Sequence, residues 1–180
     1  MKKNQKGFSL IELLIVVAII LIIAAIAIPN LLRSRMAANE ASAVGSIRTI
    51  NTAAISFNSS YGDGFPVTLS QIGTTAGQPL GCANAEYLDQ VLTAATGAAT
   101  AKSGYFFTMG AGAVVVANPP AGCVAGSVDG YTIAGQPAQV GTSGQSSFCS
   151  DATGVIRRDP TGAAPAVAGG LCPAAMLPLQ

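Results

Sequence analysis

The chain has no histidine and no tryptophan, and only 9% of its 180 residues are charged. Ordinary soluble domains carry about 25% charge. Without histidine the commonest general base and metal ligand is gone, and none of the serines has an imidazole to activate it. Asp63, Glu86, Asp89, Asp129, Asp151 and Asp159 do not fall at the spacing of a metal loop. Gly110-Ala111-Gly112 lacks the further glycines and following helix of a phosphate-binding loop. No Cys-x-x-Cys occurs. No enzymatic activity, cofactor or metal is therefore expected. Arg33, Arg35, Arg48, Lys102, Arg157 and Arg158 are scattered, which speaks against a nucleic-acid-binding domain. Aromatics are 6%, with none between Phe8 and Phe57. A continuous aromatic path along the apolar helix gets no support from this sequence.

What the chain does have is a long apolar run. Met1 to Gly7 is a short basic leader carrying Lys2, Lys3 and Lys6. From Leu13 to Leu32 the only non-aliphatic residues are Pro29 and Asn30. About 20 apolar residues are what a helix needs to cross a bilayer. Glu12 is out of place at the start of this run. A carboxylate at the centre of a membrane helix costs roughly 2.5–3.5 kcal/mol, less near an end, and calls for a partner. If the chain is cut between Gly7 and Phe8, the new α-amine lies four residues before Glu12. That is one helical turn, so amine and carboxylate share a face. They pair either within one chain or between neighbours.

Gly7-Phe8-Ser9-Leu10-Ile11-Glu12 behind a basic leader resembles the signal of type IV pilins and their relatives, the type II secretion pseudopilins. The resemblance implies that a prepilin peptidase cuts after Gly7 and N-methylates Phe8. It also implies that Glu12 contacts the amine of an adjacent subunit during assembly. Pro29 matches a proline that such helices often carry, and is expected to kink or loosen the helix. Two other readings fit parts of the segment. Ala25-Ile26-Ala27 fits a secretory cleavage site, but the run is long for a signal peptide and contains Glu12. A plain membrane anchor explains the length but not Gly7-Phe8 or Glu12.

Beyond Pro29 the helical pattern continues. Asn30 to Tyr61 has no further proline and one glycine, Gly45. Val44, Ile47, Ile50, Ala54, Phe57 and Tyr61 recur at gaps of three and four and trace one helix face. Arg35, Asn39, Ser42, Arg48 and Asn51 fill much of the rest. One helix is expected from about Phe8 to Tyr61, roughly 80 Å long at 1.5 Å per residue. Arg33, Arg35 and Glu40 read as interfacial charge just past the membrane stretch, with intersubunit pairing in a filament as the alternative. Gly62-Asp63-Gly64-Phe65-Pro66 ends the helix. Val67 to Gly81 is a loop or short turn of helix, Asn84 to Ala95 a short helix, and Gly97 to Lys102 a linker.

From Ser103 the period changes to that of strands. Tyr105 to Met109, Val114 to Val116, Tyr131 to Ala134, and the hairpin Ser147-Phe148-Cys149 with Val155-Ile156-Arg157 predict an antiparallel sheet of about four strands. Asp151-Ala152-Thr153-Gly154 is the hairpin turn. The sheet's apolar face is expected to cover the stripe on the long helix, giving an α+β fold. Lys102 to Tyr105, Tyr131 to Pro137 and Asp151 to Arg157 resemble sheet segments of type IVa pilins and secretion pseudopilins. The tail Thr161 to Gln180, rich in Ala, Gly and Pro, is expected to be irregular.

Cys82, Cys123, Cys149 and Cys172 all follow the apolar run. In an exported region they read as two disulfides, with three possible connectivities. Pilins often close one C-terminal disulfide loop; the resemblance implies Cys149 with Cys172, leaving Cys82 to Cys123. Asn58-Ser59-Ser60 is a glycosylation-type sequon, a common tripeptide read here as without consequence.

The expected organisation is a cleaved leader (1–7), a transmembrane or filament-core helix (8–32), an amphipathic continuation (33–61) and a globular head (62–180). Losing three leader lysines takes the side-chain net charge from +1 to −2. Basic residues place the leader on the cytoplasmic side, and the head in the oxidising periplasm. The resemblance implies a filament subunit of a type IV pilus serving motility, adhesion or DNA uptake. Its partners would be copies of itself, the prepilin peptidase, the inner-membrane assembly machinery and, before assembly, the membrane. A secretion pseudopilin is the alternative within this architecture. A secreted binding domain starting near Ile28 is the alternative from another class.

Overall fold

The computed structural model describes residues 8–62, 64–113, 123 and 128–179. The expected strand Val114–Val116 and its Asn118-Pro119-Pro120 stop lie outside them, as do Gly7 and Asp63. The first element is α1, Leu10–Tyr61, which runs through Pro29. It ends where the pattern predicts. Gly62 takes a φ of 63°, and its N–H donates to the Asn58 carbonyl at 2.9 Å. That left-handed cap is one glycine adopts without strain. The chain divides into two compact units, Met1–Arg35 and Met36–Gln180.

In the first unit every large apolar side chain from Leu10 to Leu32 is exposed. The helix there is long and apolar enough to span a membrane, and it has no core of its own.

In the second unit, the later part of α1 is amphipathic. Ala43, Ile47, Ile50, Ala53, Ala54 and Phe57 are buried; Val44 and Tyr61 pack at the margin. Two short helices follow, α2 (Leu69–Ile72) and α3 (Gln90–Ala94), then a 3-10 turn at Ala98–Thr100. The helix expected over Asn84 to Ala95 is thus only its last part. Asn84 to Leu88 is held otherwise: the N–H groups of Ala85, Tyr87 and Leu88 donate to carbonyls of Gln71 and Ile72 at the end of α2. Asp89 then starts α3 by accepting the Leu92 N–H at 2.8 Å.

Among the described residues the sheet has five antiparallel strands in sequence order: β1 Tyr105–Ala111, β2 Tyr131–Pro137, β3 Ser147–Asp151, β4 Ile156–Asp159 and β5 Leu177–Pro178. About four strands were expected, and the fifth lies in the tail expected to be irregular. It is two residues long, pairing Arg157 with Pro178 and Arg158 with Leu177. A proline is tolerated there because β5 is an edge strand. The β3–β4 turn is the expected one, with Gly154 at φ 76°.

Tyr105, Phe107, Tyr131, Ile133 and Phe148 join the α1 stripe in one core. Close packing between helix and sheet depends on Gly135 of β2. A Cβ there would stand 3.1 Å from Ile47 Cδ1 and 3.2 Å from Phe107 Cε1.

Candidate functional site

The N-terminal end of α1 is built from Ser9 and Glu12. Ser9 is the N-cap: its carbonyl accepts the N–H of Leu13 at 3.3 Å. Its own N–H donates to Glu12 Oε2 at 3.0 Å. Ser-x-x-Glu ahead of an apolar run is the spacing of a capping box. That spacing is present in the sequence. Phe8, next to this cap, is 81% exposed. Glu12 therefore stands at the start of an exposed apolar helix, with one oxygen already bonded inside its own chain.

Glu40 corrects the sequence reading. Rather than serving as interfacial charge, it belongs to the head. Its Oε1 accepts the N–H groups of Gln145 and Ser146 at 2.9 and 3.0 Å, and its Oε2 lies 3.8 Å from Arg158 Nη2. Beside it, Asn39 Nδ2 donates to the Ser143 carbonyl at 2.7 Å. Arg158 Nε in turn donates to Ser146 Oγ, and the Tyr105 hydroxyl to the Ser146 carbonyl. α1 is thus pinned to the β2–β3 loop by a carboxylate, an amide and a guanidinium. Arg33 and Arg35 remain exposed in the first unit.

Asn51 is the second correction. Expected on the polar face, it is buried. Its Nδ2 donates to Ser150 Oγ at 2.8 Å, and its Oδ1 accepts the Tyr131 hydroxyl at 3.2 Å. Burial pushes the Tyr131 hydroxyl up to about 12, with the nearby Asp151 charge acting the same way.

Cys82 is bonded to Cys123 and Cys149 to Cys172, across sequence separations of 41 and 23. The second bond is reinforced by Asp151, whose Oδ2 accepts the Cys172 N–H at 3.3 Å. Burial raises the Asp151 carboxyl. Hydrogen bonds from Thr153 and the Cys172 amide, with the charge of Arg157, outweigh that and hold it below the ordinary carboxylate value. Among the described residues no group of three His, Cys, Asp or Glu side chains is placed to hold a metal ion.

Residues 2–28 match the prokaryotic N-terminal methylation motif. The chain is 66% identical over 38 residues to the type IV wide pilus major component PilA4 of Thermus thermophilus. It is 48% identical over 54 residues to the type IV major pilin protein PilA of Myxococcus xanthus. Its N-terminal segment is similar to segments of two type IV pilus proteins. The two matches take in 21% and 30% of this chain, and 29% and 24% of the relatives' own lengths. The chain thus spans less than a third of the curated relatives it matches. No solved structure matches it. The matched residues 2–28 include Phe8, Ser9, Glu12 and the exposed apolar helix as far as Ile28.

Proposed function

We propose that this chain is a structural subunit of a type IV pilus filament. The observation that carries the reading is the pilin segment itself: an apolar helix, exposed from Leu10 to Leu32, interrupted near its start by the carboxylate of Glu12. In the precursor, 8–32 lies in the inner membrane and the head, 62–180, faces the periplasm. A prepilin peptidase removes residues 1–7 by cutting between Gly7 and Phe8, and the new amine of Phe8 is methylated. Assembly then exchanges lipid contacts of the helix for contacts with other copies. Glu12 is least costly to bury beside a neighbour's Phe8 amine, because a charge in hydrocarbon needs a partner. Pairing at one depth sets the axial register of each subunit. Pro29 cannot donate to the helix ladder, and the helix yields there as it packs. Segment 33–61 carries the chain into the head, which the two disulfides keep folded in an oxidising compartment. The assembled filament is extracellular. Both relatives are named as components of type IV pili, and no observation favours a secretion pseudopilin.

Glu12→Ala tests this reading in cells that express the chain together with a prepilin peptidase and a pilus assembly machinery. The variant should be cut after Gly7 like the parent, yet give few or no filaments in a surface shear fraction. Filaments at parental yield would remove Glu12 from assembly.

A further inference from the structure

The inference rests on the reading above, in which Glu12 meets an amine during assembly. The first N–H groups of a helix have no carbonyl partner within it, and hydrocarbon offers no water instead. A carboxylate near the start of an apolar helix has the complementary need. The bond from Ser9 N–H to Glu12 Oε2 at 3.0 Å meets both. A hydrogen bond to an ionised acceptor is stronger than one between neutral groups. Among the described residues, no other hydrogen bond reaches the Glu12 carboxylate.

We propose that Ser9 is the positioning residue for Glu12: its backbone N–H holds Oε2 at the end of α1 and leaves Oε1 to accept the amine of a neighbouring copy. A glutamate with three free torsions would have to be ordered at each pairing event. One held in advance has less freedom to lose. The holding group is the main-chain N–H, so the hydroxyl of Ser9 is dispensable and the amide proton is not. Alanine at this position keeps the device; proline removes it.

The test uses the full-length chain, with Ser9 labelled at nitrogen, in vesicles of phosphatidylethanolamine and phosphatidylglycerol. Exchange and proton shift of the residue 9 amide are compared across variants. Exchange should be slower by about tenfold or more in the parent than in Glu12→Ala, the range expected of a hydrogen bond to a charged group. Glu12→Gln should fall between them, and Ser9→Ala should match the parent in both exchange and filament yield. Ser9→Pro, once cut at Phe8, should assemble several-fold less. A residue 9 amide indifferent to Glu12→Ala overturns the proposal, as does a Ser9→Pro chain that assembles at parental yield. The exchange comparison decides the matter even where the peptidase rejects proline. Failure of the pilus reading looks different: the mature chain would not begin at Phe8, while the exchange result on the uncut chain would stand.

Discussion

Glu40 has both carboxylate oxygens engaged, by two amides of the β2–β3 loop and by the guanidinium of Arg158 on β4. Glu40→Ala leaves the amides of Gln145 and Ser146 without their acceptor. Hydrogen bonds to charged groups contribute about 1.5–3 kcal/mol, so a loss of that order is expected in chemical unfolding of the head. Glu40→Gln keeps an oxygen for the amides and should lose clearly less. Equal losses in the two variants would mean that the ion pair with Arg158, not the amides, carries the effect. Asp151 makes a pH-dependent contribution. Its folded pKa lies below the ordinary value, despite the burial that raises it, because hydrogen bonds and Arg157 favour the charged form. A depressed pKa stabilises the fold above the unfolded value, near 3.9, and the gain is lost as pH falls through the folded value. Thermal unfolding followed from about pH 5 down to 2 should therefore show a decline that Asp151→Asn flattens. Parallel profiles for parent and variant would contradict this.

At the scale of elements, the disulfides close loops with sequence separations of 41 and 23. Loops of that size are worth about 3–4 kcal/mol each by chain entropy. Reduction, or paired Cys→Ser replacement of either bond, should lower the melting temperature by on the order of 10 °C in a domain of this size. An unchanged melt would show that the bonds add nothing to the fold. The same scale shows what was legible in the sequence. The α1 stripe from Ile47 to Phe57 was legible because gaps of three and four are a local signal, and β1 to β4 because short aromatic and apolar β-prone runs are one too, with Gly154 marking the β3–β4 turn. Asn51 was not: a polar residue beside a helical stripe looks solvated until Ser150, 99 positions away, is seen against it. Asn84 to Leu88 fitted a helical period, but its backbone hydrogen bonds go to the end of α2. β5 is too short to show an alternation. At the candidate site, Phe8 and Glu12 stood out by type and position. Ser9 was legible only as half of a spacing, and its role appears once its N–H is seen against the carboxylate.

At the scale of the molecule, a single chain leaves the apolar helix of its first unit uncovered from Leu10 to Leu32. On the proposed filament reading, a bilayer covers it before assembly and other copies cover it afterwards. On that reading only the assembled state requires the leader to be removed, since the pairing of Glu12 needs a free amine at Phe8. The head's low charge agrees with a surface that packs among copies of itself. The account therefore stands on where the mature chain begins. Intact mass and N-terminal sequencing of the protein recovered from cells measure this directly. A mature chain starting at N-methylated Phe8 is the result predicted. A chain starting near Ile28 would have lost Glu12 and most of the apolar helix, and would contradict the filament account outright.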